Sequence, residues 1–320
     1  MNRTPKHDYL AVLDYFFVLR PMLFFPGWAT LMAGYFAARY QGQIALRGLQ
    51  GAALPETAWL LIAFGAAMGA SFLLNQLADI ESDRLNNKLF IIAEGHISTR
   101  AAVAEILFLL VIALLIAFYF SLLTGLIVIV FILVTGWLYN YPPFNFKDKP
   151  WWSLLANSLM GWLAFSVGWT AVIPTDWALI KHSLPYLFLN TALYFYTTLP
   201  DIEGDAGSSK KTLAVLYGTD KLIWASFFLF ILSLSSAAVL IDYQALFILI
   251  LSAPFFLLTL GRQRVEKAVR TTKFTILFFN LIIALQAPWY FLLMAGLFFL
   301  TRWYFKARFD FDYPNFKGKG

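Results

Sequence analysis

Long apolar segments alternate with short polar segments along almost the whole chain. A membrane-spanning helix needs about 20 mostly apolar residues, and about nine segments reach or approach that length. They cover approximately residues 15–37, 58–78, 101–120, 122–138, 154–173, 184–199, 222–241, 245–260 and 274–300. A transmembrane β-barrel would instead show alternating strands of about ten residues. The pattern therefore predicts an all-α, polytopic membrane bundle forming one domain over residues 1–320.

Composition and charge agree with a membrane protein. Hydrophobic residues make up 60% of the chain, charged residues 13%, and the mean hydropathy is +0.70, whereas soluble domains are about 45 to 50% apolar and about 25% charged. The net charge of +6 does not indicate nucleic-acid binding, because thirteen Lys and Arg lie in loops on one predicted side and three on the other. Basic loops mark the cytoplasmic side. The absence of cysteine excludes disulfides and thiolate metal sites.

The two ends of the chain are polar. Residues 1–14 form a polar lead-in, and residues 302–320 form a basic tail. An odd number of spans would place this tail opposite the other basic loops. Either the tail is an exception to the charge rule, or the last segment, interrupted at Gln286 and Pro288, does not cross simply.

Three polar side chains, Asn75, Asp79 and Asp83, recur every four residues at the end of the second segment. Four residues advance an α-helix by about 400° and about 6 Å, so these side chains share nearly one face. Ionisable groups at membrane depth cost about 2.5 kcal/mol or more each. This acidic face therefore needs a compensating partner.

A second copy of the pattern lies 122 residues further on (201 minus 79). Aligning 75–88 with 197–210 gives six identical residues in fourteen, and it pairs Asp79 with Asp201 and Asp83 with Asp205. Both copies follow an apolar segment, which indicates duplicated halves whose ends face one shared site. The alternative interpretation is that these are ordinary solvated surface acids. A single copy of the pattern would fit that interpretation well, but two copies in matched positions fit it less well.

The two acidic copies predict a magnesium site. Mg²⁺ prefers oxygen ligands and is commonly held by one or two carboxylates together with substrate phosphates. Zinc would usually require His or Cys, and a calcium EF-hand needs ligands at alternate positions around a central Gly. Neighbouring cations would then contact substrate phosphates. These cations are Lys88, Lys147, Lys210 and Lys211.

Four further residues are candidates for this site. Arg20, before Pro21 near the start of the first segment, either snorkels to lipid phosphate or binds an anion. Tyr139 and Tyr141 either belong to an interfacial aromatic belt or line the site. Asn157 is the polar residue of the fifth segment most worth testing.

Four stretches of the chain resemble the UbiA-type intramembrane prenyltransferases. They are N-x-x-x-D-x-x-x-D at 75–83, D-x-x-x-D at 201–205, YNYPP at 139–143 and GHIS at 95–98. The chain departs from the family pattern at Gln76, where the family often has Asp, and at 88–90, where an Arg-Pro-Leu-like stretch is common.

The resemblance implies a helical bundle around a central cavity that is open toward lipid and capped by cytoplasmic loops. It implies Mg²⁺-dependent transfer of an isoprenyl group from an isoprenyl diphosphate donor to a hydrophobic acceptor within the membrane lipid. The acceptor would be a quinone precursor, a pigment, a carotenoid or a polar-lipid alcohol. The implied metal ligands are Asn75 and the four catalytic aspartates, Asp79, Asp83, Asp201 and Asp205, and Tyr139 or Tyr141 would stabilise the allylic cation.

Two other functions share these features. A cation-coupled secondary transporter also shows repeats and intramembrane acids, although transporter sites gather near the midplane and these acids lie at segment ends. A membrane terpene cyclase would use the same metal chemistry without an acceptor. The predicted location is the inner (cytoplasmic) membrane, with several spans and the site facing the cytoplasm.

Overall fold

The computed structural model describes residues 6–41, 54–86, 90–173, 177–202, 204 and 212–314, and these residues form helices and no strand. Ten of the helices numbered below are long, and α1, α4 and α5 are short. They are α1 Ala11–Phe17, α2 Phe24–Tyr40, α3 Leu54–Ala78, α4 Ile80–Asn86, α5 Phe90–Ala93, α6 Thr99–Phe120, α7 Leu122–Ile132, α8 Pro150–Thr170, α9 Trp177–Thr198, α10 Leu213–Val239, α11 Tyr243–Thr259, α12 Arg264–Gln286 and α13 Pro288–Phe309. The all-α prediction is confirmed.

Several of these elements are long and apolar enough to cross a membrane. Among the described residues, five stretches meet that criterion, Asp8–Tyr40, Pro55–Ala78, Thr99–Phe120, Leu213–Val239 and Arg264–Gln286, and two shorter apolar stretches are Leu122–Leu138 and Tyr243–Thr259. Short connections join most consecutive long helices, so these neighbours run antiparallel.

Local sequence signals set many helix starts. Ser98 caps α6 by accepting a hydrogen bond from the Ala101 backbone N–H at 3.2 Å, as expected for a serine before an apolar run. Asp242 caps α11 in the same way, accepting from the Ala245 N–H at 2.9 Å. Pro150 begins α8. The first N–H groups of a helix have no partner within it, so a proline at this position costs no hydrogen bond.

The last apolar segment predicted from sequence, 274–300, consists of two helices. α12 ends at Gln286, Ala287 leaves the helical conformation, and Pro288 begins α13. Proline cannot donate the backbone hydrogen bond that would continue α12. The predicted ninth segment is therefore broken at the point where the sequence shows the interruption, as the second explanation for the tail requires.

A buried ion pair joins the end of α13 to the N-terminal residues. Arg308 donates to both carboxylate oxygens of Asp14, at 3.2 and 3.1 Å, and the two residues are 4% and 1% exposed. The Tyr304 hydroxyl donates to Asp14 at 2.5 Å, and the Lys6 N–H bonds to the Arg308 carbonyl at 2.7 Å. The end of α13 is therefore packed directly against the N-terminal residues.

Helices α2 and α8 touch through their backbones. A Cβ atom added at Gly34 would collide with the carbonyl oxygen of Phe165, and one added at Gly168 would collide with the carbonyl oxygen of Leu31. Small residues allow such close approach of helices in membrane proteins. Residues nearer the N-termini of the same two helices, among them Gly27 and Gly161, line a cavity.

Replacing Gly168 with Ala should destabilise the protein, because the added methyl group cannot enter the backbone contact without moving a helix. Overpacking of this kind costs about 1 to 3 kcal/mol, and the thermal unfolding midpoint in detergent would report it. Gly296→Ala in α13 is the matched control, since a Cβ there meets nothing within 4 Å. Equal midpoints for the two variants would contradict the contact.

Candidate functional site

The first acidic motif lies where α3 gives way to α4. The chain bends at Asp79, but the backbone hydrogen bonds continue through the bend, from the Asp79 N–H to the Asn75 carbonyl at 3.1 Å and from the Asp83 N–H to the Asp79 carbonyl at 2.8 Å. The four-residue spacing therefore keeps its helical geometry. Asp83 is buried at 8% exposure.

Asp79 is held by a cation and an amide. Lys147 Nζ lies 2.5 Å from Oδ1, and Asn75 Nδ2 donates to Oδ2 at 3.2 Å. The side chains of Asp79 and Lys147 are 31% and 18% exposed, so the pair sits at the edge of the protein interior. Charge-assisted hydrogen bonds of this kind are stronger than neutral ones. The carboxylate is therefore fixed in place while still reachable from outside.

Helix α7 supports Asn75 through an irregular turn. The residues Leu133–Leu138 form a π-helix, and Asn140 Nδ2 bonds to the carbonyls of Thr135 and Gly136 at 3.1 and 2.9 Å. The Asn140 carbonyl oxygen in turn accepts from Asn75 Nδ2 at 2.6 Å. Single π turns are frequent at functional sites. Here the turn holds the amide that orients Asn75.

Tyr141 lies beside the motif but points its hydroxyl at the backbone. Its hydroxyl donates to the Leu74 carbonyl at 3.0 Å. Burial, and after it the neighbouring Asp79 charge, raises the pKa of Tyr141, so the phenol stays neutral and keeps its proton. Tyr141 therefore ties α7 to α3 beside Asp79.

The loop after α7 carries Lys147 to Asp79. Lys147 lies in a short 3₁₀ turn, Phe146–Asp148, and Asn145 Nδ2 donates to Asp148 at 2.5 Å. Phe146 stacks on Trp152 of α8 with ring centroids 4.9 Å apart. Proline residues 142 and 143 end the preceding helix, as the sequence predicts. The aromatic stack anchors the turn that presents the lysine.

A cavity of about 360 Å³ extends from the motif into the bundle, within the size range of small-molecule sites. Its lining is mainly apolar and aromatic, with polar groups at intervals. The lining residues are Arg20, Pro26, Gly27, Thr30, Phe64, Met68, Ser71, Phe72, Asn75, Phe131, Thr135, Tyr139, Asn157, Met160, Gly161, Ala164 and Asn190. Four residues selected from sequence, Arg20, Asn75, Tyr139 and Asn157, therefore line one space.

Arg20 reaches this cavity from a break in the first segment. Its backbone is left-handed, with φ 57°, and it precedes the 3₁₀ turn Pro21–Leu23. Its guanidinium group also interacts electrostatically with Asp83 and with Tyr313. Arg20 is partly buried and lines the cavity, so its role as an anion-binding group stays a prediction.

The second acidic motif is only partly visible. Asp201 is exposed, just beyond the end of α9 at Thr198. Asp205, Lys88, Lys210 and Lys211 lie outside the described residues. Whether the two acidic ends meet therefore stays a prediction.

The first motif fits a magnesium ion. In the part of the chain that the structure describes, no three His, Cys, Asp or Glu side chains come together as a ready-made metal cage. Mg²⁺ does not require one, because it is commonly held by one or two carboxylates, waters and substrate phosphates. Asn75, Asp79 and Asp83 offer oxygen donors only, on consecutive turns, which is the donor chemistry that magnesium prefers over zinc.

Several polar residues of this region were not selected from sequence. Asn140 lies within the YNYPP stretch, between Tyr139 and Tyr141, and only the two tyrosines were selected there as candidates. Ser71 and Thr135 share a 2.6 Å hydrogen bond between α3 and α7. Gln76 is buried and donates to the Val18 carbonyl at 2.9 Å, so it joins α3 to the end of α1. Asn190 belongs to no recognisable motif. A single asparagine in an apolar segment does not reveal from sequence alone that it lines a cavity.

Known proteins share both the fold and the sequence pattern. A structure of a UbiA homolog from Archaeoglobus fulgidus superposes with a TM-score of 0.69 over 89% of this chain and 99% of that one, at 21% identity. The same homolog bound to GPP and Mg²⁺ gives a TM-score of 0.64 over 85% and 99%, at 20% identity. These likenesses establish a common fold.

Sequence comparison goes further. A 2-acyl-4-prenylphloroglucinol 6-prenyltransferase, chloroplastic, from Humulus lupulus is 31% identical over 174 residues, which is 49% of this chain and 41% of that protein. The matched region is thus less than half the length of this relative. The sequence model described as the UbiA prenyltransferase family matches residues 26–282, from the start of α2 to near the end of α12. The chain is therefore a member of the UbiA prenyltransferase family and an integral, multi-pass membrane protein.

Proposed function

We propose that this prenyltransferase moves an isoprenyl group from an isoprenyl diphosphate to a lipid-soluble acceptor inside the membrane. The observation that carries the proposal is the placement of Asp79, held by Lys147 and Asn75, next to a largely apolar cavity. A diphosphate needs charge and metal ligands, and an isoprenyl tail needs an apolar channel. Both requirements are met by neighbouring parts of one site.

Cations of the chain stabilise the diphosphate end. Lys147 reaches the first motif from the α7–α8 loop, and Arg20 lies on the cavity wall near Asp83. Negative charge increases on the diphosphate as it leaves, and preorganised cations stabilise that charge without reorganising. Lys147 also balances the charge of Asp79 before substrate binds.

Magnesium, when bound, acts as a Lewis acid that neutralises the negative charge on the leaving diphosphate. Asn75, Asp79 and Asp83 would hold it from the first motif, with Asp201 and Asp205 from the second. Asn140 keeps the Asn75 amide oriented for this task, because it accepts one of its N–H bonds at 2.6 Å.

The reaction breaks the bond between the allylic carbon and the diphosphate oxygen, and the diphosphate leaves with the electron pair. A nucleophilic carbon or oxygen of the acceptor forms the new bond and releases a proton. The face of Tyr139 stabilises the positive charge on the allylic carbon. Phe72 and Phe131 line the same space and exclude water that would capture that carbon.

Relatives support this function. The Humulus lupulus relative is named for prenyl transfer, and the Archaeoglobus fulgidus homolog was solved with GPP and Mg²⁺. The acids lie at helix ends rather than near the midplane, which favours the enzyme over a transporter. Basic loops beside the motif support a site that faces the cytoplasm from an inner membrane. These finer assignments of metal, substrates and orientation are part of the proposal.

In the presence of Mg²⁺, membranes containing the protein should convert labelled geranylgeranyl diphosphate into a labelled lipid. Mass spectrometry of that lipid would identify the acceptor. Asp79→Ala and Asp201→Ala should reduce its formation at least about 100-fold, because each removes a ligand of the Mg²⁺ that neutralises the departing diphosphate. Asp220→Ala is the matched control, since Asp220 is exposed and paired with Arg264 away from the cavity.

Both aspartate variants should remain folded in the membrane, with thermal unfolding like that of the control. Product formation by Asp79→Ala and Asp201→Ala at the rate of Asp220→Ala would refute the metal site. Inhibition by EDTA gives an independent check, since removal of the metal by chelation should stop the reaction of the unmodified protein.

Replacing Lys147 with Met should weaken binding of geranyl thiodiphosphate about tenfold or more, because one charge-assisted contact to the diphosphate is lost. The same change frees Asp79, so Mg²⁺ binding without diphosphate should strengthen. Isothermal titration in nanodiscs would measure both. Lys149→Met is the control from the same loop, since Lys149 is exposed and its ammonium group donates to the Pro143 backbone carbonyl rather than to the motif. Identical affinities for the two variants would contradict this role of Lys147.

A further inference from the structure

The residues that follow α13 fold back onto the last turns of that helix. Asp310 ends the helix with a left-handed backbone, φ 52°, and the Phe311 N–H donates to the Phe305 carbonyl at 3.1 Å. The Tyr313 ring then packs edge-on against Phe305, with ring centroids 5.1 Å apart. We call residues 305–313 the C-terminal clasp, because they contact two separate parts of the site described above.

The first contact of the C-terminal clasp is with α5, the short helix that follows the first acidic motif. Phe309 packs edge-on against Phe90 with ring centroids 4.9 Å apart, and Phe305 and Phe311 lie 6.3 and 6.2 Å from the same ring. Edge-to-face pairs of this kind stabilise aromatic packing. All four residues of α5 are buried, and one helical turn is not stable alone. Packing on the C-terminal clasp therefore fixes the position of α5.

Helix α5 is bonded in turn to the helix that carries Asp83. Arg84 Nε donates to the carbonyl of Ala93, the last residue of α5, at 3.0 Å. Arg84 directly follows Asp83 in α4, and Asp83 is buried. The C-terminal clasp therefore supports the acidic motif through α5.

The second contact is with the part of the chain that presents Arg20. Helix α13 contacts the turn Pro21–Leu23, and Tyr304, next to the C-terminal clasp, stacks on Phe17 with ring centroids 3.9 Å apart. These contacts lie on both sides of Arg20 in the sequence. Burial raises the pKa of Tyr313, and the charge of Arg20 opposes part of that rise, which agrees with a phenol close to the guanidinium group.

A diphosphate that binds Mg²⁺ and Arg20 together requires a fixed spacing between the acidic motif and the arginine. A displacement of about 1 Å in a binding group can cost about 100-fold in rate. Both groups stand on short elements, since α4 and α1 have seven residues each and Arg20 follows α1. Helices of this length do not keep their position without tertiary packing.

We propose that the C-terminal clasp is a positioning element of the diphosphate site, which sets the spacing between the acidic motif and Arg20, and that Phe311 and Tyr313 are its positioning residues. The inference rests on the proposed function, since it concerns the diphosphate end of the same site. The C-terminal clasp lies beyond residue 282, where the match to the family model ends. It is therefore a feature of this chain outside the matched region.

Binding of inorganic diphosphate with Mg²⁺ to the protein in nanodiscs tests this role. Phe311→Ala and Tyr313→Ala should each bind it about tenfold more weakly than the unmodified protein, because the two binding groups are no longer held at one spacing. Tyr313→Phe keeps the ring and should bind like the unmodified protein. Trp303→Ala is the matched control, since Trp303 is an aromatic residue of α13 that is 49% exposed.

A double-mutant cycle separates positioning from a general loss of packing. Arg20→Met should itself weaken diphosphate binding. Tyr313→Ala should weaken it little further in that background, because the C-terminal clasp then has no arginine to position. Additive losses in affinity would show that Tyr313 does not act through Arg20 and would overturn the inference.

Two other results would overturn it. In the first, Phe311→Ala and Tyr313→Ala bind diphosphate as tightly as Trp303→Ala, while the unmodified protein binds it with Mg²⁺. In the second, Tyr313→Phe loses as much affinity as Tyr313→Ala, so that ring packing is not the cause. Failure of the unmodified protein to bind diphosphate with Mg²⁺ is a different outcome, because it would contradict the proposed function and the inference together.

Discussion

The close contact of α2 and α8 forms one boundary of the cavity. Gly34 and Gly168 let the two backbones touch, and no side chain separates the helices there. Nearer the N-termini of the same helices, Gly27 and Gly161 line the cavity. Ala164, beside the contact, and Asn75, in the acidic motif, both line this space, so it extends from the contact to the motif.

A partly buried carboxylate such as Asp79 needs partners that balance its charge and still leave its oxygens able to bind other groups. Lys147 and Asn75 each occupy one oxygen of Asp79, and the carboxylate still keeps about a third of its surface exposed. A fully buried pair would resist exchange, since breaking it would strand a charge. A lysine on a loop can leave at lower cost than one on a packed helix. The resting ion pair thus keeps Asp79 in position and leaves it able to exchange partners, as the proposed binding of metal and phosphate requires.

The sequence predicted what depends on regular spacing. Asn75, Asp79 and Asp83 keep their common face because helical geometry follows from a four-residue repeat. The boundary at Pro288 was harder to predict, since apolar residues continue on both sides of it. Asn140 and Asn190 could not be assigned, because a single asparagine in an apolar segment looks the same whether it bonds to its own helix or faces a cavity. Those roles depend on which neighbouring helix lies opposite, which only the tertiary structure shows.

Helix α13 lies beyond the region matched to the family, yet it packs against the part of the chain that positions Arg20. It contacts the turn Pro21–Leu23, and the ion pair of Asp14 with Arg308 fixes it to the N-terminal residues. Arg20 has a left-handed backbone, a conformation that costs about 1 kcal/mol or more in a residue other than glycine and persists only where the surroundings enforce it. Packing of α13 against the turn Pro21–Leu23, directly after Arg20, restrains this part of the chain. A helix remote in sequence from the acidic motifs thereby helps to keep a cation at the cavity wall.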